Sequence, residues 1–182
     1  KFDSRSASVS LLLDYDSRDT LFTPNDGLSA GLRASFYREA FGSDSEFEKY
    51  KAYAKFFTPL TDTLVLGLRG DLDTLNGEAP FYEYPFINLR GIPAMRYQGE
   101  TVTVGEAEFR WNFISRWSLM LFGGAGRAES IDTLDADEDT VFTKGIGFRY
   151  FIARRFGAHA GVDVARGPED TVVYLTFGQA WY

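Results

Sequence analysis

The 182-residue chain has no cysteine and a single histidine. Disulfide frameworks and thiolate metal sites are thereby excluded, and multi-histidine metal sites with them. Although 45% of the residues are hydrophobic, no apolar run approaches the roughly 18 residues of a membrane-spanning helix. Positive charge is scarce: 19 Lys and Arg stand against 26 Asp and Glu, a net charge of −7. No nucleic-acid partner held by bulk charge is expected. There is no Gly-x-Ser-x-Gly elbow, and His159 has no recognisable nucleophile to serve, so no enzymatic activity is expected. Nothing calls for a cofactor. The excess is aromatic: 17 Phe, 10 Tyr and 3 Trp, or 16% of the chain.

Apolar residues recur with period two, the spacing of a strand with two unlike faces. Nine segments show it: Ala7–Tyr15, Leu28–Tyr37, Phe47–Phe57, a fourth around Leu64–Asp71, Thr101–Phe113, Trp117–Gly126, Thr143–Phe151, Ala158–Ala165 and Thr171–Trp181. In the fifth, Ala107, Phe109, Trp111 and Phe113 alternate with Glu106, Glu108, Arg110 and Asn112. In the last, Val173, Leu175, Phe177 and Trp181 share one face. Connections alternate between short (58–62, 114–116, 152–157) and long (38–46, 72–100, 127–142); the link at 16–27 falls on the short side by order without being very short. The polar face is charged, with Arg33, Lys49, Lys51, Lys55, Arg69, Arg110, Arg149 and Asp163 on it. Several apolar stripes end in aromatics such as Phe36, Phe56, Trp111, Trp117, Tyr150 and Trp181. Together these features predict an all-β, antiparallel transmembrane β-barrel of eight to nine strands, lipid outside and charge inside. One domain spans 1–182, with a long inserted loop at about 72–100. The acidic stretch Glu129–Asp139 matches no EF-hand spacing and reads as a solvated loop, so no metal is expected.

Several motifs carry a resemblance. Tyr15-Asp16-Ser17-Arg18-Asp19 leads through Phe22 and Pro24 to Gly27; Leu89-Arg90-Gly91-Ile92 lies in the long loop. Ala107-Glu108-Phe109, Phe122-x-Gly124-x-Gly126 and Gly145-Ile146-Gly147-Phe148 follow in order, and the chain closes on alternate apolar residues. The set resembles the BamA/TamA superfamily, the bacterial surface antigen barrels. The resemblance implies that Arg90 and Gly91 form a loop motif folded into the lumen, with Arg90 paired to Glu108 and Glu106 a second inward acid. The family's other wall acid corresponds to Gly124, so one usual anchor is absent. In the family these landmarks belong to the last nine of sixteen strands. A complete eight-stranded barrel, part of a sixteen-stranded one, and two copies joined in a larger pore all remain open.

The same resemblance implies a bacterial outer-membrane location and non-covalent action on client outer-membrane or secreted polypeptides. Partners would be outer-membrane lipid, client chains and, in an oligomer, a second copy. Val173, Leu175, Phe177 and Trp181 would form the C-terminal seam strand on which a client strand pairs. The alternatives are a small structural barrel without client activity, or the barrel anchor of a larger protein.

Overall fold

The computed structural model describes residues 5–129, 139–153 and 158–181. It is a single antiparallel sheet of nine strands in sequence order. These are β1 (Ser8–Asp16), β2 (Gly27–Tyr37), β3 (Phe47–Pro59), β4 (Leu64–Gly77), β5 (Thr101–Ile114), β6 (Trp117–Glu129), β7 (Asp139–Ala153), β8 (Ala158–Arg166) and β9 (Thr171–Phe177). Two 3-10 turns, Glu39–Phe41 and Phe81–Glu83, interrupt the connections. Among the described residues no helix is long and apolar enough to cross a membrane, which says nothing of crossing by strands.

Period-two alternation sorts the side chains as expected. Leu11, Leu13, Phe56, Leu68, Phe109, Leu121, Ile146, Val164 and Leu175 are exposed on one face. Ser29, Lys55, Glu106, Glu108, Arg110, Thr143, Arg149 and Asp163 are buried on the other. Exposure of so many large apolar groups on one continuous face would be a liability in water and is the ordinary condition of a lipid-facing wall. Trp111, Phe113, Trp117, Phe148 and Tyr150 adjoin in an outer-face cluster beside the turn at 115–116, with ring centroids 4.5–6.3 Å apart. Such rings suit a membrane–water boundary.

The sheet is strongly curled. Glu106 and Glu108 of β5 and Asp163 of β8 all lie within 3.1 Å of one guanidinium. In a flat sheet, strands three apart would stand about 14 Å from one another. Curvature also brings β3 to the segment after β9, where Lys55 Nζ donates to the Trp181 carbonyl oxygen at 3.4 Å.

Three expectations change. The fourth segment does not end near Asp71. Leu72–Gly77 continue the ladder against β3, from Leu72 opposite Ala52 to Gly77 opposite Phe47, and the long loop shortens to 78–100. The first segment is a full strand, paired with β2 from Ser8 to Asp16, so the count is nine. The ninth stops at Phe177. Of the acidic stretch, 130–138 lies outside the described residues. At one end 60–63 and 115–116 are short but 17–26 is long; at the other, 38–46 and 78–100 are long and 167–170 is short.

The inner face is not wholly polar. Val102, Val104, Ala128 and Val141 of the wall pack against Ile87, Leu89 and Ile92 of the long loop. This apolar cluster seats the loop against the concave face.

Candidate functional site: the loop arginine and its carboxylates

The loop enters the curl through Leu89-Arg90-Gly91-Ile92. Leu89 and Ile92 are buried in the apolar cluster, and the Ile92 N–H donates to the Leu89 carbonyl at 3.1 Å. That tight turn projects Arg90 onto the wall. Its Nε and Nη2 donate to Glu106 Oε1 at 2.8 and 2.7 Å. Nη2 also donates to Glu108 Oε2 at 2.7 Å, and Nη1 to Asp163 Oδ2 at 3.1 Å. The guanidinium carbon lies 3.5 Å from the centroid of Phe122. A planar fork of five donors suits three carboxylates over a ring; an ammonium would not. Burial by itself would weaken the guanidinium's hold on its proton, but the charges of Glu108 and Glu106 outweigh it and lift the Arg90 pKa above its ordinary value.

The carboxylates are shared further. Arg149 Nη2 donates to Asp163 Oδ2 at 2.8 Å, and Arg69 Nη1 stands 3.6 Å from Glu106. Three arginines therefore meet three acids. The sequence placed Asp163 on the inner face without linking it to Arg90. It supplies the third carboxylate although the wall acid expected at Gly124 is absent. A Cβ at Gly124 would lie 2.8 Å from Leu89 Cδ2, so the seated loop fills the space such a side chain would need.

Gly91 has φ +92°, a region that L side chains rarely adopt. Its N–H donates to the Tyr174 hydroxyl on β9 at 2.9 Å. A Cβ there would come 2.9 Å from the Gly167 nitrogen in the β8–β9 turn. Gly91→Ala is expected to weaken loop docking by about 1–3 kcal/mol, seen as faster proteolysis within 78–100 in folded protein. At the loop's rim, Glu169 accepts from Arg96 Nε at 2.8 Å and from the Tyr97 hydroxyl at 3.0 Å. Those two hydrogen bonds hold its pKa below the usual carboxylate value.

The four loop-docking residues Arg90, Gly91, Glu106 and Glu108 thus lie together. Val173, Leu175 and Phe177 share the outer face of β9, Leu175 being 84% exposed. Trp181 does not join them. It is 3% exposed, inside the curl, with Nε1 donating to Glu106 Oε2 at 2.7 Å. Its ring lies 5.6 Å from that of Phe57. Alternation predicts an outward Trp181 because it assumes an unbroken strand. Gly178, at φ +71°, breaks it; its N–H donates to the His159 carbonyl at 2.7 Å. The chain turns inward there, and Gln179 Nε2 reaches Glu108 Oε1 at 3.0 Å. Glu106 and Glu108 thereby hold the loop and the terminal segment at once.

A family model described as the Omp85 superfamily domain matches residues 1–165. The chain belongs to the Omp85 superfamily. No curated protein matches it. The Omp85 match covers Arg90, Glu106, Glu108 and Asp163, and stops before Tyr174, Gln179 and Trp181. The barrel-type sheet and the BamA/TamA-like motifs agree with that membership.

Proposed function

We propose that this Omp85 protein works in the bacterial outer membrane as an insertion or translocation barrel, acting without covalent chemistry on client polypeptides. Membership supports the general class. The observation that carries the finer reading is β9. Among the described residues it pairs with β8 alone. An edge strand presents unpaired N–H and C=O groups on which an incoming strand adds. The outward Val173, Leu175 and Phe177 keep that edge at lipid depth, where an inserting strand would arrive. The inward turn at Gly178 confines that edge to Thr171–Phe177.

A structural barrel without client activity is the second reading. The dense buried network around Arg90 favours it, since paired charges and a seated loop rigidify an interior. The two readings part in one assay. Liposomes carrying the protein are compared with empty ones for the folding rate of another outer-membrane barrel. Acceleration that is lost when a Pro replaces Val173 or Leu175 on the edge is expected; no acceleration over empty liposomes leaves the structural reading standing.

A further inference from the structure

Two like-charge pairs stand directly opposite each other on the inner wall. Arg33 of β2 is the cross-strand partner of Lys51 of β3, and Lys55 of β3 is that of Arg69 of β4. Like charges at opposed positions destabilise a sheet. A ladder built for stability alone has no reason to place two such pairs side by side. All four side chains line one cavity of about 280 Å3 on the concave face.

The acids nearby are already engaged. Asp14 accepts from the Tyr53 hydroxyl at 2.8 Å, and Asp71 from Arg69 Nε at 2.7 Å. Asp73 accepts from Lys51 at 3.4 Å. Among the described residues neither Arg33 nor Lys55 forms an ion pair. Lys55 is buried; among the described residues its ammonium donates to the Trp181 carbonyl oxygen at 3.4 Å and lies 5.3 Å from the Tyr53 ring centroid, while the carboxylates of Asp16 and Asp71 act on it only beyond ion-pair distance. A buried cation with no carboxylate in ion-pair contact is costly. An anion in the cavity would supply the missing charge.

We propose that this cavity binds carboxylates of an extended acidic polypeptide segment lying along the inner wall. The proposal deepens the client reading above and rests on it. The cavity opens on the concave face, opposite the outward Leu11, Phe56 and Leu68, so a bilayer headgroup meets the wrong side of the wall. Lys51 and Lys55 are four residues apart on one strand, a separation of about 13 Å. Carboxylates four residues apart on an extended peptide have the same spacing and face the same way.

The test uses a short fluorescein-labelled peptide with glutamate at every fourth position, and its glutamine counterpart. Binding to the protein in neutral detergent is read by anisotropy. The glutamate peptide is expected to bind roughly tenfold more tightly or better, and Arg33→Gln and Lys51→Gln are each expected to weaken it roughly tenfold. Arg33 is exposed, and among the described residues its side chain makes no hydrogen bond or ion pair, so its variant is expected to fold normally. Arg116→Gln, on the turn at 115–116, is expected to leave binding unchanged. Equal affinity for the two peptides, or no weakening in Arg33→Gln, overturns the proposal. The outcomes separate from the folding assay. Accelerated client folding with equal peptide affinities sinks only the acidic-segment site; selective binding without acceleration keeps the site and sinks the client reading.

Discussion

Replacing Arg90 by alanine is expected to destabilise the folded barrel by about 3–5 kcal/mol. The change strips the shared cation from Glu106, Glu108 and Asp163, all of them buried. Removing one partner of a buried ionic cluster costs more than the cluster's own net contribution, because the charges left behind are neither solvated nor paired. Arg69 and Arg149 still reach Glu106 and Asp163 in the variant, but among the described residues the one hydrogen bond left to Glu108 is from the amide of Gln179, with Arg110 acting on it at longer range. Arg90→Lys restores the charge and not the fork. A single ammonium cannot serve three carboxylates and the Phe122 face at once, so the lysine variant is expected to remain well below the native protein. A triple change, Arg90→Met with Glu106→Gln and Glu108→Gln, is expected to recover most of the loss, since it removes the orphaned charge. Denaturant unfolding from detergent or vesicles, followed by tryptophan emission, measures all three. A loss below about 1 kcal/mol for Arg90→Ala would mean that the guanidinium is solvated and the loop free of the wall.

Trp181→Ala is expected to cost about 3–5 kcal/mol, the range for deleting a buried large aromatic. The indole packs against Phe57 and over Gly67, where a Cβ would meet it at 3.0 Å. Its N–H is a charge-assisted donor to Glu106. Trp181→Phe separates the two contributions: it keeps most of the packing and is expected to lose about 1.5–3 kcal/mol with the hydrogen bond. Location is tested independently of stability. Trp111 and Trp117 are exposed on the outer face, so they are changed to Phe, leaving Trp181 as the only indole. Brominated lipid is then expected to leave its emission nearly unquenched. Strong quenching would show the terminal residues continuing β9 along the lipid face, and the shared carboxylates of Glu106 and Glu108 would lose their link to the terminal segment.

Much of the architecture is legible in the sequence. Alternation in Thr101–Phe113 assigned Glu106, Glu108 and Arg110 to one face and Phe109 and Trp111 to the other, and β5 has that arrangement. Strand ends were less legible. Leu72-Asp73-Thr74-Leu75 mixes polar and apolar residues as a loop can, and its pairing with β3 on one side and β5 on the other keeps it in the sheet. The motif resemblance drew attention to Arg90 and Glu108, but not to Asp163, which lies 73 residues from Arg90.

The sequence by itself determined the faces. A strand's side chains alternate whatever it pairs with, so period-two patterning dictates which residues meet lipid and which meet the interior. Charge placement along each strand is equally local and was readable in the same way, whereas the aromatic end at Trp181 and several turn lengths were not. Only the tertiary structure decided which inward groups meet. The curl of the sheet places acids from β5 and β8 around one guanidinium, and nothing local encodes that distance. A single positive φ at Gly178 turns Trp181 from the outer face to the inside. Periodicity describes an unbroken strand, and a one-residue break reverses every side chain beyond it.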